Sequence, residues 1–187
     1  SVPRVAETAV TAVGDRVAYT VQHADWDRDA HPVVIHLVDA DGRERRRLEG
    51  HDGARRLQWS PDGARLAWLA DSPAVPGCAV FHCTAEGRVE TLGSPDLEVA
   101  DFQWRADSRS IVVEATERRS APPRGAWAAF EADVAPARPY AWRLEGGDPV
   151  PLPVPGGSLV AFADAAGTRA VLLAPTALPD DADRSSL

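Results

Sequence analysis

Trp59-Ser-Pro-Asp-Gly63-Ala-Arg-Leu-Ala-Trp68 is the stretch on which the fold turns. Pro61 presets φ for a turn, the short carboxylate of Asp62 can bond its own backbone two residues on, and Gly63 accepts the left-handed region. A polar turn between two apolar, aromatic runs predicts two antiparallel strands. The same frame recurs without gaps. Val10-Thr-Ala-Val-Gly14-Asp-Arg-Val-Ala-Tyr19 and Trp104-Arg-Ala-Asp-Ser108-Arg-Ser-Ile-Val-Val113 align to it, and Ala163-Asp-Ala-Ala-Gly167-Thr-Arg-Ala-Val-Leu172 aligns more weakly. The anchors Gly14, Gly63, Ser108 and Gly167 stand 49, 45 and 59 residues apart.

A second turn follows each full anchor. The β-rich run Val33 to Val38 ends at Asp41-Gly42, Ala79 to Thr84 at Glu86-Gly87, and Tyr140 to Leu144 at Gly146-Gly147. Short outer strands come next, over Arg43 to Leu48, Val89 to Leu92 and Pro149 to Leu152. The unit is a four-stranded antiparallel meander, which cannot bury both faces alone; radial stacking at a period of about 45 residues solves that as a β-propeller. A sandwich remains the alternative, though it needs no repeated turn chemistry. The expected all-β chain holds blades at about 4–50, 54–93 and 98–154, with an insertion at 117–138, a partial blade at 158–175 and a polar tail at 176–187. The fourth unit has only two strands, so the ring is read as incomplete. Its remaining blades are expected from a companion segment of the same precursor.

Composition excludes some partners. With 28 acidic and 20 basic residues the formal charge is −8, against a broad footprint for nucleic acid or an anionic membrane. The run Arg43-Glu-Arg-Arg-Arg47 reads as a solvated strand edge, with Arg43, Arg45 and Arg47 beside Glu49 on one face and Glu44 with Arg46 on the other. No stretch reaches the roughly 18 apolar residues of a membrane helix. Cys78 and Cys83 share one strand, about 16 Å apart on opposite faces. They are therefore expected as free, buried thiols rather than a disulfide or a metal site, which points to a cytoplasmic setting. The chain opens on Ser1 rather than Met, which leaves a removed leader open.

At Trp59 to Trp68 the sequence resembles the repeats of TolB-type propellers and of the propeller in the prolyl oligopeptidase family of serine peptidases. Asp15-Arg-Val-Ala-Tyr-Thr-Val21, Asp25-Trp-Asp27 and His36-Leu-Val-Asp-Ala-Asp-Gly42 resemble the opening blade of the family's acylaminoacyl-peptidase branch. The resemblance runs through about residues 5 to 115. It implies a non-catalytic propeller that gates and selects short peptide substrates for a separate α/β-hydrolase domain carrying a Ser-Asp-His triad. TolB-like binding without chemistry is the alternative it leaves open. No Gly-x-Ser-x-Gly elbow occurs, since neither Gly93-Ser94-Pro95 nor Gly156-Gly157-Ser158 completes one, and no catalytic residue carries over. No cofactor or metal is expected. Trp59 and Trp104, at the same repeat position, are expected to pack between blades. Trp26, between two aspartates, and Trp127, in the insertion, are the candidate substrate or partner contacts.

Overall fold

The computed structural model describes residues 3–23, 32–118 and 137–153, and strand backbone at 158–162 and 170–173. Among these residues every regular element is a strand. The first blade is β1 (Arg4–Val10), β2 (Arg16–Gln22), β3 (Val33–Asp39) and β4 (Glu44–Leu48). The second is β5 (Arg55–Trp59), β6 (Arg65–Asp71), β7 (Cys78–Thr84) and β8 (Glu90–Leu92). The third is β9 (Leu97–Trp104), β10 (Ser110–Glu117), β11 (Arg138–Arg143) and β12 (Val150–Pro151), and a hairpin follows of β13 (Ser158–Phe162) and β14 (Ala170–Leu173). Each four-stranded sheet pairs its strands antiparallel in chain order, as three meanders do. The fold is an incomplete β-propeller, as the repeat predicts.

The turns form as their residues dictate. Gly14 and Gly63 take φ of 73° and 69°, and Ser108 takes the same left-handed region at 53°. The Asp62 carboxylate accepts from the Ala64 amide at 2.9 Å and from the Ser60 hydroxyl at 2.6 Å. Asp107 does the equivalent for the Arg109 amide and the Ser110 hydroxyl.

Among the described residues two cores lie between blades. One joins Ala18, Ile35, Leu37 and Leu48 of the first blade to Trp59, Leu66, Trp68 and Phe81 of the second. The other joins Ala67, Leu69, Val80 and Leu92 of the second blade to Phe102, Trp104, Ile111 and Val113 of the third. Because the second blade is covered on both faces, β6 and β7 read as continuous apolar runs rather than alternating ones. Trp59 and Trp104, expected to pack between blades, are buried, as are Leu66, Trp68 and Ile111. Cys78 belongs to one core and Cys83 to the other, both as free thiols on opposite faces of β7.

The arginine-rich edge departs from simple alternation. Leu37 pairs with Arg46 but Val38 pairs with Glu44, so Arg45 is an extra residue and β4 bulges there. The bulge separates Glu44 from Arg46. Glu44 bonds His36 at 2.6 Å on one face, whereas Arg46 reaches across to the backbone carbonyls of Thr84, Ala85 and Gly87 in the second blade. Arg45 pairs with Asp39 and Arg47 with Glu49, so that side is the solvated edge the sequence predicts.

Candidate functional site: the inner-strand row

The first strand of each blade is the one that lines a propeller's central channel. β1, β5 and β9 run in the same direction side by side. The Glu7 carboxylate accepts from the Leu57 amide at 3.1 Å, Trp59 Nε1 donates to the Ala9 carbonyl at 3.3 Å, and Trp104 Nε1 donates to the Gln58 carbonyl at 3.1 Å. The Gln58 side-chain amide returns a bond to the Phe102 carbonyl at 3.2 Å. The two tryptophans at one repeat position therefore make one device, packing a ring on the preceding blade and capping a carbonyl of its inner strand.

Each inner strand also carries an extra residue opposite its neighbour. Register slips between Val5 and Thr8 in β1, between Arg55 and Gln58 in β5, and in β9 where Val99 and Asp101 oppose Ala115 and Glu114. The bulges turn one side chain per blade out of the cores: Glu7, Arg56 and Asp101, each seven residues before its anchor. Arg56 adopts φ of 59°, which is strained for a residue with a Cβ. Its Nε and Nη2 hold the two Asp101 oxygens at 2.8 and 2.5 Å, and Asp101 Oδ1 also accepts from the Phe102 amide at 2.8 Å. The Asp101 bond, with the carboxylates of Asp101 and Glu7 nearby, holds the Arg56 guanidinium above its ordinary pKa against the cost of burial. The Arg56 side chain is 46% exposed and that of Asp101 29% exposed, so the pair is worth about 1 kcal/mol at most.

The row thus presents negative, positive and negative groups in order across three blades. It can orient a charged chain end or admit a backbone, but it holds no nucleophile. Among the described residues no histidine bonds a Ser, Thr or Cys side chain. His36 is stacked on Tyr19 with centroids 5.0 Å apart, His51 lies edge-on to Trp68 and Phe81, and His82 is buried with Glu90 at 3.8 Å. Among the described residues no group of three or more His, Cys, Asp or Glu could hold a metal ion.

At the opposite end of the blades from the anchor turns lies an open cleft of about 450 Å³, walled by Ser94, Asp96, Leu97, Glu117, Arg118 and Tyr140. It sits where the long connection leaves β10 and re-enters β11. Arg118 is pinned there by the Pro76 and Leu97 carbonyls at 2.5 and 3.3 Å and by the Asp96 carbonyl to its amide at 2.7 Å. The Tyr140 hydroxyl donates to Glu117 at 3.1 Å. Trp26 and Trp127, the candidates the sequence offers, lie outside the described residues. The inner row escaped the sequence reading, although a signal was present: the same seven-residue offset from each anchor.

No protein-family model and no curated protein matches the sequence. Solved structures do share its fold. The acylaminoacyl peptidase of Pyrococcus horikoshii superposes with a TM-score of 0.63 at 15% identity, over 87% of this chain and 27% of that one. A prolyl endopeptidase superposes with a TM-score of 0.53 at 18% identity, over 87% of this chain and 24% of that one. The hydrazine synthase of Kuenenia stuttgartiensis gives 0.50 at 20%, over 79% and 53%. The chain spans about a quarter of the length of the acylaminoacyl peptidase it resembles, and at these identities what it shares is the architecture of stacked four-stranded blades.

Proposed function

We propose that this chain is the substrate-gating part of the propeller of a prolyl-oligopeptidase-like serine peptidase acting on short peptides, with the Ser-Asp-His triad on an α/β-hydrolase domain outside these residues. The observation that carries the reading is the likeness in fold to the acylaminoacyl peptidase, which covers nearly all of this chain and only 27% of that one. The inner-strand row supports it in kind. Glu7, Arg56 and Asp101 form a polar, charged lining suited to passing an extended peptide and unsuited to cleaving one. The companion hydrolase domain, the peptide substrate and a cytoplasmic setting belong to this proposal.

A serine-hydrolase fluorophosphonate probe applied to the protein at its natural length tests it. Labelling of one serine outside these residues, with turnover of an acyl-dipeptide anilide and exclusion of a 40-residue peptide, is the expected result. Absence of labelling sinks it. The second reading is a binding propeller without chemistry; the hydrazine synthase likeness shows that blades of this fold also occur in a protein not named as a peptidase. It would then be the surviving account.

A further inference from the structure

The charges of the inner-strand row are not equally engaged. Arg56 gives Nε and Nη2 to the two Asp101 oxygens at 2.8 and 2.5 Å, and Asp101 takes the Phe102 amide as well. That pair is closed on itself. Glu7 is placed differently: its carboxylate accepts from the Leu57 amide at 3.1 Å, and its charge acts on Arg56 without a bond to it. Arg55, the neighbouring cation on β5, is turned onto the Gly53 carbonyl at 3.3 Å. Among the described residues the row therefore sets one cation between two carboxylates, with the cation spent on Asp101 and the charge of Glu7 left over. The backbone beside the row is closed too. The Ala9 and Gln58 carbonyls are taken by the Trp59 and Trp104 indoles, the Phe102 carbonyl by the Gln58 amide, and the Leu57 amide by Glu7. A peptide running past cannot add to β1 or β5 as another strand at these points, so recognition there falls to side chains.

We infer that the Glu7 end of the row is a subsite for a basic side chain of a peptide, and that the row sorts peptides by charge. The inference rests on the proposed function in one respect, that the ligand reaching the row is a peptide. Its direction follows from the two pairings. A lysine or arginine of the ligand meets the carboxylate that no cation of the row has bonded. An acidic side chain must instead draw Arg56 away from both of its bonds to Asp101, or lie against Glu7. Arg56 thus acts as a positioning residue. By neutralising Asp101 it confines the unpaired negative charge to one place. The size of the effect is modest, because the row is partly exposed: an ion pair there is worth about fivefold in affinity and is screened by salt.

Equilibrium dialysis tests it on the protein at its natural length, pretreated with fluorophosphonate so that binding is read apart from cleavage. The probes are short Gly-Ala peptides, acetylated and amidated at their ends, with a single central lysine, norleucine or glutamate. The lysine peptide should bind about fivefold tighter than the glutamate peptide, with norleucine between them, and the gap should shrink as salt is raised. Glu7→Gln keeps an oxygen for the Leu57 amide but removes the charge, and should close most of the gap while leaving the norleucine peptide unchanged. Arg56→Gln frees a second carboxylate, Asp101, and should widen it. Opposite shifts from the two variants are what a merely structural role would not produce. Equal affinities in the unaltered protein overturn the inference. So does a gap that survives Glu7→Gln, a parallel loss for all three peptides, or no binding of any of them. A charge preference without fluorophosphonate labelling would leave the subsite standing and remove only the peptidase; labelling without a preference would do the reverse.

Discussion

The indole of Trp104 is 7% exposed, fills the core between the second and third blades and spends its only donor on the Gln58 carbonyl. Trp104→Ala should therefore cost about 3–5 kcal/mol. Trp104→Phe keeps most of the ring contact but uncaps the carbonyl, and should lose about 1 kcal/mol from the hydrogen bond before any packing change. Urea unfolding of the two variants separates packing from capping. The thiols make a second case. Burial pushes the Cys83 thiol up to about 11 and raises that of Cys78 as well, so little thiolate forms near neutral pH. Ellman's reagent should find two thiols per chain after denaturation without reductant and almost none before. A result of zero after denaturation would contradict the β7 strand.

At the scale of the element, β7 and its loop neighbours carry an acid sensitivity. His82 on β7 is 1% exposed, and neither ring nitrogen has a hydrogen-bond partner; burial, with Arg65 adding to it, lowers its pKa against the raising effect of Glu90. Burial lowers His51 too, against Asp52. Both rings stay neutral in the fold while the unfolded chain takes up protons near pH 6.5. Stability contributed by neutral burial is thus complete above that value, falls as the pH drops below it, and levels off once the lowered folded-state pKa is passed. Urea midpoints should decline from pH 7.5 to 5.5, and His82→Leu should flatten part of that slope. The β5 bulge offers a further test at this scale. Arg56→Ala removes both bonds to Asp101 across the junction of the second and third blades, yet the pair is half-exposed, so the loss of stability should stay near 1 kcal/mol.

At the scale of the whole molecule, the described residues cohere through two inter-blade cores and a seam of inner-strand bonds that repeat from one junction to the next. A radial stack of this kind is stabilised by nearest-neighbour interfaces. A polar substitution inside the second blade, such as Leu69→Ser, which lies in one core, should therefore loosen the junction to the third blade first. Hydrogen exchange should show faster amide exchange in β9 and β10 than in β2 and β3. Uniform acceleration over all three blades would show that the sheets unfold as one unit instead.

The sequence by itself determined the blades. Turn geometry is written locally, in Pro61, Asp62 and Gly63 and their counterparts, and strand alternation needs no knowledge of neighbours, so the pairing order of the described strands and the burial of Trp59 and Trp104 were legible. Tertiary structure alone decided where the bulges fall. One extra residue opposite a partner strand reverses which face the following side chains take, and nothing in β4 taken alone marks Arg45 as that residue, so Glu44 and Arg46 parted to different faces. The same device, seen only once strands are paired, aligned Glu7, Arg56 and Asp101 into a charged row. The seven-residue offset of Glu7, Arg56 and Asp101 from their anchors is written in the sequence, but because the three differ in charge only the paired strands show that they form one row.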